Sequence, residues 1–271
     1  MTIGASDKAF AGSIPRIYDT QLVPLIFEPY AEDLAQRVAA KPVRRVLEVA
    51  AGTGVVTRAL AAALPDAEIV ATDLNQAMLD HAAAVGTARP VEWRQSDAMQ
   101  LPFADGEFDA VVCQFGVMFF PDKPRAYAEA RRVLRGGGAF VFNTWDSIEE
   151  NEFADVVTSA LRLPFPDDPP RFLARTPHGY HQVAVIVRDV SQGGFRGRVD
   201  IVTLARRSRA ESPRIPALAY CQGTPLRNEI EARDAARLGE ATDVAERAIA
   251  ARFGTGAVDG KIQAHVISVV R

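Results

Sequence analysis

The chain has 271 residues and only two cysteines, Cys113 and Cys221. They are far apart and form no C-x-x-C pair, which excludes a disulfide framework and a cysteine-built zinc site. The four histidines, His81, His178, His181 and His265, form no H-E-x-x-H pattern, so no metal is expected. No apolar run approaches the ~20 residues that cross a bilayer. Residues 1–10 carry no apolar stretch of the kind a secretory signal needs. The expectation is a cytoplasmic protein with no membrane partner. One-sided charge is missing too: 31 Lys+Arg against 34 Asp+Glu leave a net charge of −3. That gives no broad basic field for nucleic acid, and no nucleic-acid partner is expected. The basic run Arg206-Arg207-Ser208-Arg209 reads as a solvated strand end or turn.

What the chain does have is apolar patterning. Apolar residues make up 48% of it, enough for a substantial core. Short apolar runs fit strands over 44–49, 68–72, 91–95, 108–114 and 139–144, alternating with helix-like segments over 55–64, 76–85 and 122–134. The run Ala110-Val111-Val112-Cys113 has no polar alternation, as in parallel strands buried on both faces. Gly136-Gly137-Gly138 reads as a turn. Further on, helices are expected over 151–163, 182–191, 215–220, 225–234 and 242–253, and strands over 199–205 and 262–270. The proline-rich stretch from Leu163 to Pro170 cannot continue a helix, and residues up to about Gly179 read as a covering loop. The fold class expected is α/β, a doubly wound and mostly parallel sheet.

Polar residues cluster at the predicted carboxyl ends of these strands, the edge where open α/β sheets bind ligands. Val46-Leu47-Glu48-Val49-Ala50-Ala51-Gly52-Thr53-Gly54 is an apolar run ending in an acid, then a small-residue turn, then a helix. Backbone amides lie open at such a junction. Asp73 closes the second strand, where a carboxylate can accept both hydroxyls of a ribose. Asp97-Ala98 follows the third, where a carboxylate and a backbone N–H can meet an adenine. Gln114-Phe115-Gly116 ends the fourth. A nicotinamide fingerprint would place a third glycine at Thr57. Acid-x-small-x-Gly-x-Gly fits Glu48, Ala50, Gly52 and Gly54 without a gap. A carboxylate beside a pyrophosphate would repel it, whereas beside a cationic amino-acid head group it would not. The pattern favours S-adenosylmethionine over NAD.

These motifs resemble class I S-adenosylmethionine-dependent methyltransferases, in a form similar to the ubiquinone/menaquinone-biosynthesis C-methyltransferase group. The likeness runs from about Val43 to Phe142. It includes Ala71-Thr72-Asp73-Leu74-Asn75, Leu101-Pro102-Phe103, Phe108-Asp109-Ala110-Val111-Val112 and Arg132-Val133-Leu134-Arg135-Gly136-Gly137-Gly138. It implies a Rossmann-like, seven-stranded sheet with its last strand antiparallel and a helical lid inserted before that strand. The corresponding division is an N-terminal helical cover (1–42), a core (43–205), a lid (206–260) and a final core strand (261–271). It also implies a set of cofactor contacts. Gly52, Gly54 and Ala50 would approach the methionine part and Glu48 its amino group. Asp73 would hold the ribose, Leu74 and Met78 would pack on the adenine, and Asp97 and Ala98 would read its edge. Gln114 would contact the amino-acid moiety, and Tyr18 would cover the cofactor. The family usually has glycine at the position of Ala50.

The Phe115 to Phe120 loop and Trp145-Asp146 should face the transferred methyl group, so the expected partner is a small, apolar or aromatic O-, C- or N-acceptor. The segment Tyr220 to Arg227 is a candidate lining of its pocket. No residue is assigned to catalysis, although His178 or His181 could act as a base and His81 falls away from the expected pocket. A non-catalytic protein that senses S-adenosylmethionine is the alternative. It would keep the cofactor half while its acceptor pocket was blocked or absent.

Overall fold

The computed structural model describes residues 14–271. The reading of residues 1–10 therefore lies outside the described residues. Seven strands form one sheet in the order β3-β2-β1-β4-β5-β7-β6. They are β1 (Arg45–Val49), β2 (Glu68–Asp73), β3 (Glu92–Gln95), β4 (Phe108–Gln114), β5 (Leu134–Trp145), β6 (Asp200–Ala210) and β7 (Val258–Val270). The first five are parallel, while β7 runs antiparallel to both β5 and β6. The strand order reverses between β1 and β4, which opens a crevice at their carboxyl ends.

Alternate residues of the central strands feed two cores, as the two-residue period of a strand requires. Val46, Ala110, Val112 and Val141 pack on the helices Glu28–Ala39 and Val55–Ala63 through Leu34, Val38 and Leu60. Leu47, Val111, Cys113, Phe140 and Phe142 face the other way, into a larger core with Tyr127, Ile186 and Trp145. Local signals set the helix ends. Asp122 caps Lys123–Val133 by accepting from the Arg125 N–H at 3.0 Å, and Pro124 sits in the first turn, where its missing N–H costs nothing.

Three features differ from the sequence reading. Strand β5 begins at Leu134, with Gly136-Gly137-Gly138 as an irregularity inside it rather than a turn before it. Leu134 pairs with Phe108, the register then jumps so that Ala139 pairs with Ala110, and Gly137 takes φ +83°. Strand β6 runs to Ala210 and β7 starts at Val258, so residues 206–210 and 258–260, expected in the helical insertion, belong to the sheet. The physical reason is that β6 is an edge strand whose Arg207 and Arg209 both pair with Asp259 across the ladder. Charge on an edge strand is ordinary, and it hides the strand from an apolar-pattern reading. The helices Arg214–Gln222, Leu226–Asp234 and Leu238–Phe253 fill the space between β6 and β7. Before β1 the chain is helical from Ile14 to Ala39, with a π-helical stretch, Tyr18–Phe27, around Pro24. Proline lacks the N–H of an α-helical bond, and the wider i→i−5 pattern, here Glu28 N–H to the Val23 carbonyl, accommodates it.

Candidate active site

The β1–helix junction is shaped by left-handed backbone. Ala50, Gly52 and Gly54 take φ of +57°, +57° and +83°. Glycine adopts this region freely, whereas alanine pays for it. Ala50→Gly is expected to raise stability by about 1 kcal/mol, net of the added freedom of the unfolded chain; a urea midpoint unchanged or lowered would show that the Ala50 methyl group is needed where it packs. Its neighbour there is Gly116, just past β4. A Cβ on Gly116 would lie 2.5 Å from Ala50 Cβ and 2.7 Å from Cys113 Sγ. Gly116→Ala should therefore force the two strand-end loops apart and cost about 1–3 kcal/mol, read as a lower thermal midpoint.

Asp73 ends β2 at the rim of this junction. Its Oδ2 accepts from the Gly52 N–H at 2.9 Å, and its Oδ1 from the Asn75 N–H at 2.8 Å. A carboxylate has about four acceptor positions; Oδ2 keeps one open, and on Oδ1 the second is taken only by the long bond from Asn75 Nδ2, 3.4 Å, which a ribose hydroxyl can displace. Burial raises the Asp73 pKa above the ordinary carboxylate value, against the opposing pull of these hydrogen bonds. Asp97 accepts from the Met99 N–H at 2.9 Å through Oδ1, a local turn that leaves Oδ2 without a partner among the described residues.

A cleft opens over these groups. Nine of the eleven residues expected at the cofactor line it: Tyr18, Ala50, Gly52, Asp73, Leu74, Met78, Asp97, Ala98 and Gln114. Glu48 and Gly54 do not. Glu48 is 1% exposed and lies behind the turn, where Oε2 accepts from the Thr57 hydroxyl at 2.5 Å. Burial pushes its pKa up to about 8, with the Thr57 hydrogen bond opposing. Gly54 permits close packing: a Cβ there would meet Trp93 at 3.0 Å and Ala82 at 3.2 Å. Thr57 is thus the partner of the motif's acid, a role its spacing did not reveal. Sequence alone also does not point to Asn75, Ser96 or Pro121, which line the cleft from loops.

A second cavity shares Tyr18, Phe115 and Phe119 with the first. Its other walls include Leu22, Ile26, Phe27, Trp145, Phe172 and Leu173, together with Tyr220, Thr224 and Pro225 from the insertion. Phe115 stands between the cavities. It is a non-glycine residue at φ +49°, held by its N–H donating to Asn143 Oδ1 at 2.8 Å and by its ring lying on Trp145, centroids 3.7 Å apart and 4° from parallel. Such strain persists only where neighbours over-determine it, and it concentrates at functional sites. Of the histidines, only His178 lines this chamber. His181 Nδ1 meets the His178 carbonyl at 2.7 Å, His81 pairs with Asp19, and His265 lies between Thr203 and Asp146. No group of metal-ligating side chains occurs among the described residues, and none of their helices is long and apolar enough to cross a membrane.

The seven-stranded sheet, its strand order and its antiparallel last strand are those of the Rossmann-like methyltransferase fold. Residues 47–142 match the family described as Methyltransferase domain. The chain is similar to the demethylmenaquinone methyltransferase of Thermus thermophilus, at 42% identity over 113 residues, 41% of this chain and 50% of that protein. The chain spans between 37% and 50% of the length of the curated relatives it matches. Among solved structures, Haemonchus contortus phosphoethanolamine N-methyltransferase 2 in complex with S-adenosyl-L-methionine superposes with a TM-score of 0.58 at 14% identity, over 96% of this chain and 56% of that one. The [4+2]-cyclase SpnF gives 0.55 at 17% identity, over 90% and 81%. At these identities the likeness is one of fold alone.

Proposed function

We propose that the chain transfers the methyl group of S-adenosylmethionine to a small, apolar or aromatic metabolite. The observation that carries this reading is the pair of adjoining cavities with one aromatic wall between them. The cleft suits the donor by its chemistry. Asp73 offers a carboxylate for ribose hydroxyls, Leu74 and Met78 offer apolar surface for the adenine, and Asp97 offers an acceptor for the adenine amine. The packing of Thr57 into the β1–helix junction, hydrogen-bonded to Glu48, argues against the nicotinamide fingerprint, which needs a glycine there.

When bound, this donor supplies an electrophilic methyl group on a sulfonium. The chain's own part is alignment and exclusion of water, which in-line displacement rewards strongly. The chamber beyond Phe115 serves that purpose, with the N-terminal helical segment and the helices between β6 and β7 as its cover. A ligand-sensing protein has no need of such a second chamber. The same fold in a [4+2]-cyclase is a reminder that fold does not dictate reaction; here the reading rests also on the cleft residues and on the 42% identity over 113 residues to a demethylmenaquinone methyltransferase.

Calorimetry with S-adenosylmethionine, S-adenosylhomocysteine and NAD tests the donor, and transfer of labelled methyl across a panel of hydroxy- and aminoarenes and alkyl analogues tests the acceptor. Binding of NAD without binding of either S-adenosyl ligand would sink the proposal.

A further inference from the structure

We infer that His178 is the general base of the acceptor chamber, and that the chamber takes a flat arene carrying a weakly acidic hydroxyl, with transfer to that oxygen. The inference rests on the methyl-transfer reading above and deepens it.

Asn151, a polar residue of the chamber wall, is spent: its Nδ2 donates to the carbonyls of Asp146, Ser147 and Gln263, and its Oδ1 accepts from the Gln263 N–H. Thr224 is spent too, donating to the Tyr220 carbonyl at 2.7 Å and accepting from the Leu226 N–H at 3.2 Å. His178 differs. It is 5% exposed, and its Nδ1 lies 2.9 Å from the Asp146 carbonyl oxygen. A carbonyl has no hydrogen to give, so Nδ1 carries the proton. Burial lowers the pKa of the ring to about 4, so it is neutral near pH 7. In a neutral ring with its proton on Nδ1, Nε2 presents a bare lone pair. That nitrogen has no partner among the described residues, and neither has the Tyr220 hydroxyl, which belongs to the same wall. Apart from Tyr18, which it shares with the cleft, the chamber thus offers one strict acceptor and the Tyr220 hydroxyl in an otherwise apolar, aromatic enclosure.

A buried strict acceptor calls for a ligand that brings a donor hydrogen. The rings of Phe27, Phe115, Trp145 and Phe172 select a flat, apolar body for it. A charged ammonium would be desolvated at high cost beside a sulfonium, and a neutral amine already has its lone pair free. A phenol-type hydroxyl is the acceptor that needs a base. In the step, the oxygen–carbon bond forms as the methyl carbon–sulfur bond breaks, and that bond's electron pair stays on sulfur. The hydroxyl proton passes to Nε2, giving an aryl methyl ether, a thioether and an imidazolium that later returns its proton to water. The charged groups around His178 are Asp146 and Glu149, which favour the imidazolium, and His181, which opposes it.

The test uses the full chain labelled with 15N-histidine, S-adenosylhomocysteine, and the probes 2-naphthol and naphthalene. The expected spectrum shows His178 protonated on Nδ1, with an Nε2 resonance that moves on adding 2-naphthol and stays put with naphthalene. In labelled-methyl assays with 2-naphthol, His178→Gln and His178→Ala should keep S-adenosylhomocysteine affinity while kcat falls by about 100-fold or more, with KM changed far less. The acid limb of the wild-type pH profile should be absent in His178→Gln, and added imidazole should restore part of the activity of His178→Ala. A proton on Nε2, an unmoved resonance with 2-naphthol, or kcat within twofold of wild type would overturn the inference while the donor reading stands. Failure of S-adenosylhomocysteine to bind the wild-type chain would instead overturn the donor reading beneath it.

Discussion

Replacing Asp73 with alanine is expected to weaken S-adenosylhomocysteine binding by about 100- to 1,000-fold. Two charge-assisted hydrogen bonds to a ribose, at about 1.5–2 kcal/mol each, account for that range. The same carboxylate holds the Gly52 N–H and the Asn75 N–H. Its removal therefore also frees the turn over which the ligand lies and should lower stability. Asp73→Asn separates the two roles, because the amide oxygen can still accept one of these backbone bonds while the charge is gone. The raised pKa of Asp73 adds a signature: wild-type affinity should begin to fall with acidification at a higher pH than an ordinary carboxylate would impose. Calorimetric affinities unchanged in Asp73→Ala would remove this residue from the site.

The second large effect concerns stability. The Glu48 carboxyl, with an ordinary pKa of 4.5, is pushed up to about 8 by burial. Between those two values the folded chain holds a proton that the unfolded chain has released, so stability falls as pH rises. The contribution is fully present below about pH 4.5 and is lost on passing through about pH 8. Glu48→Gln has nothing to ionise and can still accept from Thr57. It should match the wild type near pH 4.5 and exceed it above pH 8 by up to about 4 kcal/mol. Urea unfolding at the two pH values measures this. A difference between variant and wild type that is the same at both would mean that the ionisation of Glu48 is not what the fold resists.

Glu48 also marks where sequence stops being informative. That an acid ends β1 is legible, because an apolar run terminates there. Which way its side chain turns is not, because that depends on the hydroxyl of Thr57, nine residues on, reaching back across the junction. The parallel half of the sheet is readable because β1, β2 and β4 are buried on both faces along unbroken apolar runs, Val46-Leu47, Ile69-Val70-Ala71 and Ala110-Val111-Val112-Cys113. The β6–β7 ribbon was cut short because its outer part is an arginine-bearing edge stabilised by Asp259, with no apolar alternation to follow. The cleft was legible because its residues sit at fixed offsets from strand ends. The chamber was not: Phe115, Trp145, Tyr220 and Thr224 could be named, but Leu22, Ile26, Phe172, Leu173 and Pro177 reach it only through tertiary packing of segments distant in sequence.

The wall of Tyr18, Phe115 and Phe119, common to both cavities, limits how this chain could diversify. A substitution in that wall acts on donor and acceptor together, so a change of acceptor range bought there is charged against donor affinity. Leu22, Phe172, Leu173 and Tyr220 touch the chamber alone. They are the positions at which descendants or engineers can exchange one acceptor for another while the donor half stays intact.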